Sequence, residues 1–153
     1  MSVHEYPLSG VPKLIQISDC HIDDQRLVMG VDSQKNLQTV IKYIQTVKSD
    51  ALLISGDLTH HGTLSSYQIL KKMLSPIKQP IFVIEGNHDD AENLGQVFKE
   101  HLFKTFRLDN WEIIHINSVQ AGKTSGLVSE AALLELDNAC LNSNADHVMV
   151  ILH

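Results

Sequence analysis

Three short polar clusters carry side chains of metal-ligand type: Asp19-Cys20-His21, Gly56-Asp57 and Gly86-Asn87-His88-Asp89. Carboxylate, imidazole and amide donors without a thiolate pair suit manganese, iron, zinc or cobalt. An Asp and a His at i and i+2 project to the same side as a chain leaves a strand, so both can turn toward one ion. The glycines before Asp57 and Asn87 let the backbone pass close to such an ion. Singly, each cluster is a weak signal, because Asp-x-His is common by chance, Gly-Asp is an ordinary turn, and Gly-Asn-His fits a loop ending in a helix cap. Their weight comes from position: each directly follows a short apolar run.

Those runs are "KLIQIS" (13–18), "DALLIS" (50–55) and "PIFVIE" (80–85), and a fourth, "HVMVIL" (147–152), is followed at once by His153. They are nearly continuous and rich in branched apolar residues, the pattern of strands buried on both faces. Between the first two, Leu37, Val40, Ile41 and Ile44 recur at helical spacing after Ser33 as N-cap. Between the next two, Leu70, Met73, Leu74 and Ile77 do the same. The order βαβαβ implies parallel strands with right-handed helical crossovers. The carboxyl ends of such strands share one edge, where ligands bind in open α/β sheets. The clusters are therefore expected to converge, and the fourth strand to bring His153 to the same edge. "KTFRL" and "WEIIHIN" around Asp109-Asn110 read as a hairpin. "SEAALLELDNACLN" reads as a third helix with Ser129 as N-cap and Glu130 in its first turn. Cys140 shares its apolar face with Leu133 and Leu136 and is expected in the core.

The chain has 153 residues, 43% hydrophobic and 20% charged, which fits one globular α/β domain over 1–153. A net charge of −6 with no basic stripe argues against a nucleic-acid partner held through its phosphates. Lys71-Lys72, the only adjacent basic pair, reads as a solvated helix face. Cys20 and Cys140 lie too far apart in sequence to suggest a disulfide framework or a thiolate zinc site, so a reducing cytoplasm is the expected location. No signal-peptide core and no apolar run of about 18 residues is present, so no membrane partner is expected. Ending on a strand and a histidine gives the chain the look of a C-terminal truncation.

"DCH", "GDLTHHG" and "GNHDD", in this order and spacing, resemble the calcineurin-like metallophosphoesterases, whose pattern is D-x-H, G-D, G-N-H-[DE], a His after a strand, and a final G-H-x-H. "MGVDSQKNL" and "GTLSSYQILKKML" are similar to corresponding stretches of the class III cyclic-nucleotide phosphodiesterases. The resemblance implies the N-terminal part of a four-layer α/β/β/α sandwich holding two divalent or mixed-valence metal ions, manganese or iron foremost and zinc or cobalt next. Residue by residue, it implies that Asp19 and His21 bind the first metal, Asp57 bridges both, and Asn87 and His153 bind the second. It makes His88 the catalytic histidine that contacts the phosphate and assists the leaving group, with Asn87 also near substrate. The implied reaction is hydrolysis of 3',5'-cyclic AMP or a related cyclic nucleotide by metal-activated water. Alternatives are a metallophosphoesterase for glycerophosphodiesters, phosphomonoesters or nucleic-acid ends, or a non-catalytic metal-binding module, since no G-H-x-H is present.

Other polar residues carry looser expectations. Cys20 departs from the Thr or Leu usual in the middle of D-x-H; it is expected either to point away from the metals or to add oxidation sensitivity. Asp89 either orients His88 or a nearby ligand, or acts as a capping or solvated carboxylate. His60 and His61 read as loop residues, with contact to substrate or nearby water as the alternative. Asp32 and Asn36 are expected to shape the loop before the first helix, and His4, His101, His115 and His147 to be structural or on the surface.

Overall fold

The computed structural model describes residues 4–7 and 10–153. Eleven elements follow one another: β1 (His4–Tyr6), β2 (Leu14–Ile17), α1 (Ser33–Thr46), β3 (Ala51–Ser55), α2 (Leu64–Leu74), β4 (Ile81–Ile84), α3 (Ala91–Phe98), β5 (Thr105–Leu108), β6 (Trp111–His115), α4 (Glu130–Asn142) and β7 (His147–Ile151). They form two sheets. One is all parallel in the order β2-β3-β4, and the other is mixed in the order β1-β5-β6-β7. In the mixed sheet β5 and β6 are the antiparallel hairpin, while β1 and β7 flank it as parallel strands.

β3 is central to the parallel sheet and every one of its residues is buried, as its unbroken apolar run requires. Its side chains alternate between two cores. Leu52 and Ile54 face a helical layer made by Leu37, Ile41 and Ile44 of α1, Tyr67, Leu70 and Leu74 of α2, and Leu94 and Phe98 of α3. Ala51 and Leu53, with Phe82 and Ile84 of β4, face Phe106, Leu108, Ile113 and Ile151 of the second sheet. The Phe82 and Phe106 rings stack across that interface with centroids 3.6 Å apart. Full burial of side chains this size stabilises by about 1.5–3 kcal/mol each, so the inter-sheet seam firmly fixes the relative position of the strand ends.

Several expectations are corrected here. Asp32, not Ser33, caps α1, its carboxylate accepting from the Lys35 amide; Ser33 is the first helical residue and buried. A carboxylate outcompetes a hydroxyl for this position because it also answers the positive end of the helix. "HVMVIL" is not buried on both faces. β7 lies at the edge of the second sheet and leaves Val148 and Val150 exposed, as is Leu152 just after it. Cys140 is exposed and α4 has no buried residue. That helix makes polar contacts, Glu135 with Lys104 at 3.4 Å and its cap Ser143 with Glu112 on β6, while of its apolar stripe Leu133 and Cys140 are exposed and Leu136 is half-buried. The helix does start where expected, with the Ser129 hydroxyl accepting from the Ala132 amide. Two further elements, β1 and α3, carry little sequence signal. β1 is only three residues long, and α3 is an eight-residue helix with Gly95 inside it, capped by Asp90 through the Asn93 amide. The backbone of His4 pairs with Phe106, and the reading of its side chain lies outside the described residues. Among the described residues no helix is long and apolar enough to cross a membrane.

Candidate metal centre

The β2–β3 pairing continues past both strands. The Asp19 amide donates to the Gly56 carbonyl (3.2 Å), that of His21 to Asp57 (3.0 Å) and that of Ile22 to Leu58 (3.1 Å). This extension holds the first two polar clusters side by side. To aim their side chains at one point the backbone turns left-handed at Asp19 (φ 55°), His21 (φ 44°) and Asp57 (φ 48°). Such conformations cost a non-glycine residue on the order of 1 kcal/mol or more, so their concentration here marks the strand ends as strained. The third cluster closes the site because Gly86 lacks a side chain: a Cβ there would lie 2.3 Å from both the amide nitrogen and Oδ1 of Asp57. Gly56 (φ 90°) is equally constrained, since its Cβ would lie 2.3 Å from the His153 ring.

Asp57 is the hub. Its Oδ2 lies 3.7 Å from His21 Nε2, and its Oδ1 lies 3.4 Å from His153 Nε2 and accepts the His88 amide at 3.0 Å. His21 Nε2 is also 3.8 Å from Asp19 Oδ1. The three carboxylate–imidazole separations exceed those of hydrogen bonds. Two donors each about 2.1 Å from a shared ion would stand ~3.0–3.4 Å apart, so modest closure brings either pair onto a metal. Ligand atoms of Asp19, Asp57 and His153 lie within 4.8 Å of one another, and so do those of His21, His60 and His88. Among the described residues neither Asp19 nor Asp57 pairs with a lysine or arginine, so two carboxylates share the site without a fixed cation. The imidazoles are pre-oriented. His153 Nδ1 donates to the Ser55 carbonyl and His88 Nδ1 to the His60 carbonyl, both at 2.9 Å, which leaves each Nε2 with its lone pair free.

The site is braced by Asp89. Its Oδ2 accepts the amides of Leu58 (3.0 Å) and Gly86 (2.9 Å), and its Oδ1 accepts the Thr59 amide (3.1 Å), the Thr59 hydroxyl (3.3 Å) and the Tyr67 hydroxyl (2.9 Å). Burial pushes its carboxyl above the usual range, although the Gly86 and Leu58 amides and the Tyr67 hydroxyl pull it back. The residue therefore ties the loops after β3 and β4 to α2. It makes no bond to the His88 ring, whose Nδ1 is taken by the His60 carbonyl. His61 lies farther out, paired at 2.6 Å with the buried Asp23. Burial opposes the charged form of Asp23, but the Gln25 amide and His61 outweigh it and hold its carboxyl below the usual range. Cys20 packs against the helical core, and burial, then the Asp89 and Asp19 charges, push its thiol up to about 12. It stays protonated at neutral pH, which counts against the oxidation-sensitive reading.

The family model of the calcineurin-like phosphoesterases matches residues 12–147. The chain belongs to this family. It is 47% identical over 140 residues to a probable cyclic nucleotide phosphodiesterase of Vesicomyosocius okutanii, covering 92% of this chain and 60% of that one. It is 32% identical over 152 residues to a probable glycerophosphodiester phosphodiesterase of Arcobacter nitrofigilis, covering 92% and 56%. The chain thus spans about three fifths of the length of the curated relatives it matches. A dimetal phosphatase from Danio rerio shares the fold with a TM-score of 0.69 at 12% identity, covering 95% of this chain and 70% of that one.

The residues singled out by motif stand together where the carboxyl ends of β2, β3 and β4 meet the end of β7. Asp19, His21, Asp57 and His153 surround a common space, and Asn87 sits in the adjoining turn between Gly86 and His88. One geometric detail differs from the reading by motif. β7 belongs to the second sheet, so His153 reaches Asp57 across the inter-sheet seam and not along the parallel sheet. His60 lies in the loop after β3, as expected, and its ring stacks on His88 with centroids 5.0 Å apart while its Nδ1 is 3.5 Å from His21 Nδ1. Its position after Gly-Asp-Leu-Thr was the available signal. His101 and His115 bond to the Ile81 and Phe103 carbonyls and His147 lies against Trp111, as structural or surface residues do.

Proposed function

We propose that the protein is a binuclear-metal phosphodiesterase acting on 3',5'-cyclic AMP or a related cyclic nucleotide in the cytoplasm. The observation that carries the proposal is the two-sided use of Asp57: one oxygen faces His21, whose ring also neighbours Asp19, and the other faces His153. That is the geometry a bridging carboxylate needs. In this reading Asp19, His21 and Asp57 hold one ion and Asp57, Asn87 and His153 the other, with manganese or iron first among the metals this donor set accepts. When bound, such a pair supplies Lewis acidity toward the phosphoryl oxygens and lowers the pKa of a water.

The protein's own part is positioning and proton handling. The His88 ring is fixed by its Nδ1 bond to His60, so its Nε2 is directed away from that carbonyl, and in the protonated form it donates to the oxygen leaving phosphorus. Water supplies the new P–O bond, the cyclic P–O3' bond breaks, and the proton ends on the 3' oxygen, giving a 5'-nucleotide. Similarity to a probable cyclic nucleotide phosphodiesterase supports the substrate class.

The test has two parts. Asp57→Ala is expected to remove both ions together when metal content is measured by mass spectrometry; loss of one ion alone contradicts the bridging role. Hydrolysis of cyclic AMP is compared with that of glycerophosphodiesters and phosphomonoesters. No turnover of the cyclic nucleotide, with turnover of a glycerophosphodiester, moves the protein to the activity named for the Arcobacter relative.

A further inference from the structure

A cleft of about 630 Å³ opens directly beside the cluster of candidate ligands. Asp19, His21, His60 and His88 form its polar side, while Val28, Met29, Val31 and Val40 line the other together with Asn36 and Ser33. The apolar side is a built feature. Val28 and Val31 exchange backbone hydrogen bonds of 2.9 and 2.8 Å around Met29 (φ 48°) and Gly30 (φ 81°), a two-residue hairpin turn with both central residues left-handed. Met29 is 89% exposed, and Leu27 and Val31 beside it are also exposed. A bulky apolar residue in a left-handed conformation is strained, and here no burial within the chain compensates for it. Ser33, also in the lining, is 8% exposed and its hydroxyl is a buried polar atom with no hydrogen-bond partner among the described residues.

We propose that this cleft receives the purine base of the substrate, with the Met29 hairpin as its apolar cover and Asn36 as the residue that reads the base edge. The inference rests on the cyclic-nucleotide reading above. Three observations favour a base over other leaving groups. An Asn amide presents a donor and an acceptor side by side, the complement of the N6/N7 edge of adenine. The cleft contains no lysine, arginine or glutamate, and its one carboxylate, Asp19, is drawn into the metal cluster, so a choline or ethanolamine ammonium group would be desolvated there without a partner. The volume falls within the range of small-ligand sites, and one end opens on His88, so phosphate and base can be held at once.

The experiment compares two monoesters that differ only in the base, AMP and ribose 5-phosphate, titrated calorimetrically into the metal-loaded full chain. Wild type is expected to bind AMP at least tenfold more tightly. Asn36→Ala and Met29→Gly should each cut that preference by about tenfold, the scale of a lost side-chain contact to a base edge, and leave ribose 5-phosphate unchanged. Both positions are exposed, and glycine relieves the strain at residue 29, so the variants are expected to fold. Equal binding of the two ligands, or an undiminished preference in both variants, overturns the base site while leaving the metal reading intact. Failure to bind either ligand overturns both.

Discussion

Replacing Asp89 should expose how much of the site's order depends on one carboxylate. Five hydrogen bonds end on it, three of them from backbone amides of Leu58, Thr59 and Gly86 that are fixed by the strand ends and cannot turn toward water. Each buried donor left without a partner costs about 1–3 kcal/mol, but the Thr59 and Tyr67 hydroxyls can re-aim, so with three amides stranded Asp89→Ala should lose at least about 3 kcal/mol. Asp89→Asn can keep its oxygen on the Oδ2 side, facing Leu58 and Gly86. Its NH₂ then meets the Thr59 amide, while the two hydroxyls rotate to accept, and the expected loss is about 1–2 kcal/mol. Urea unfolding of both variants measures the losses. Tyr67→Phe completes a double-mutant cycle, because the Tyr67 hydroxyl donates to Asp89 and accepts the Asp90 amide, each at 2.9 Å. An Asp89→Ala protein within about 1 kcal/mol of wild type, or no coupling to Tyr67, would refute the idea that this residue braces the site.

Gly86→Ala should lower metal stoichiometry and stability together, because the added Cβ would displace Asp57 from 2.3 Å; normal metal content would show that the loop yields. For His115, burial against the second sheet lowers the pKa from its ordinary 6.5, so the unfolded chain binds its proton more readily. Stability from this group is then complete above about pH 6.5 and declines as pH falls through the window below it. His115→Asn, which can keep the bond to the Phe103 carbonyl, should flatten that part of the stability–pH curve in urea titrations, and an unchanged slope would contradict the assignment. Titration of native protein with a thiol reagent should show one fast and one slow cysteine, since Cys140 is exposed and Cys20 is held as a thiol; Cys140→Ala should remove the fast phase.

The strand ends were legible because they are local. A run such as "ALLIS" followed by Gly-Asp encodes both a buried strand and the turn that ends it, and the parallel order places such ends on one edge. Partner choice is not local. Nothing within "HVMVIL" says whether it joins β4 or β6, and only the inter-sheet packing of Ile151 with Phe82 and Phe106 settles that it lies beside β6. Cys140 misled for the same reason: a stripe of Leu133, Leu136 and Cys140 signals an apolar face, but not whether a sheet face is turned to receive it. α3 was hidden by its brevity and by Gly95, leaving Asp90 and the pair Leu94 and Phe98 as its only signals. The roles of Asp89 and His60 lie furthest from sequence. Asp89 is adjacent to His88 in the chain, yet its oxygens turn back to amides thirty or so positions earlier, on the loop after β3. The same loop that carries the bridging candidate Asp57 therefore depends on the neighbour of His88 for its shape, so substitutions at Asp89 should disturb metal binding at Asp57 without Asp89 touching a metal.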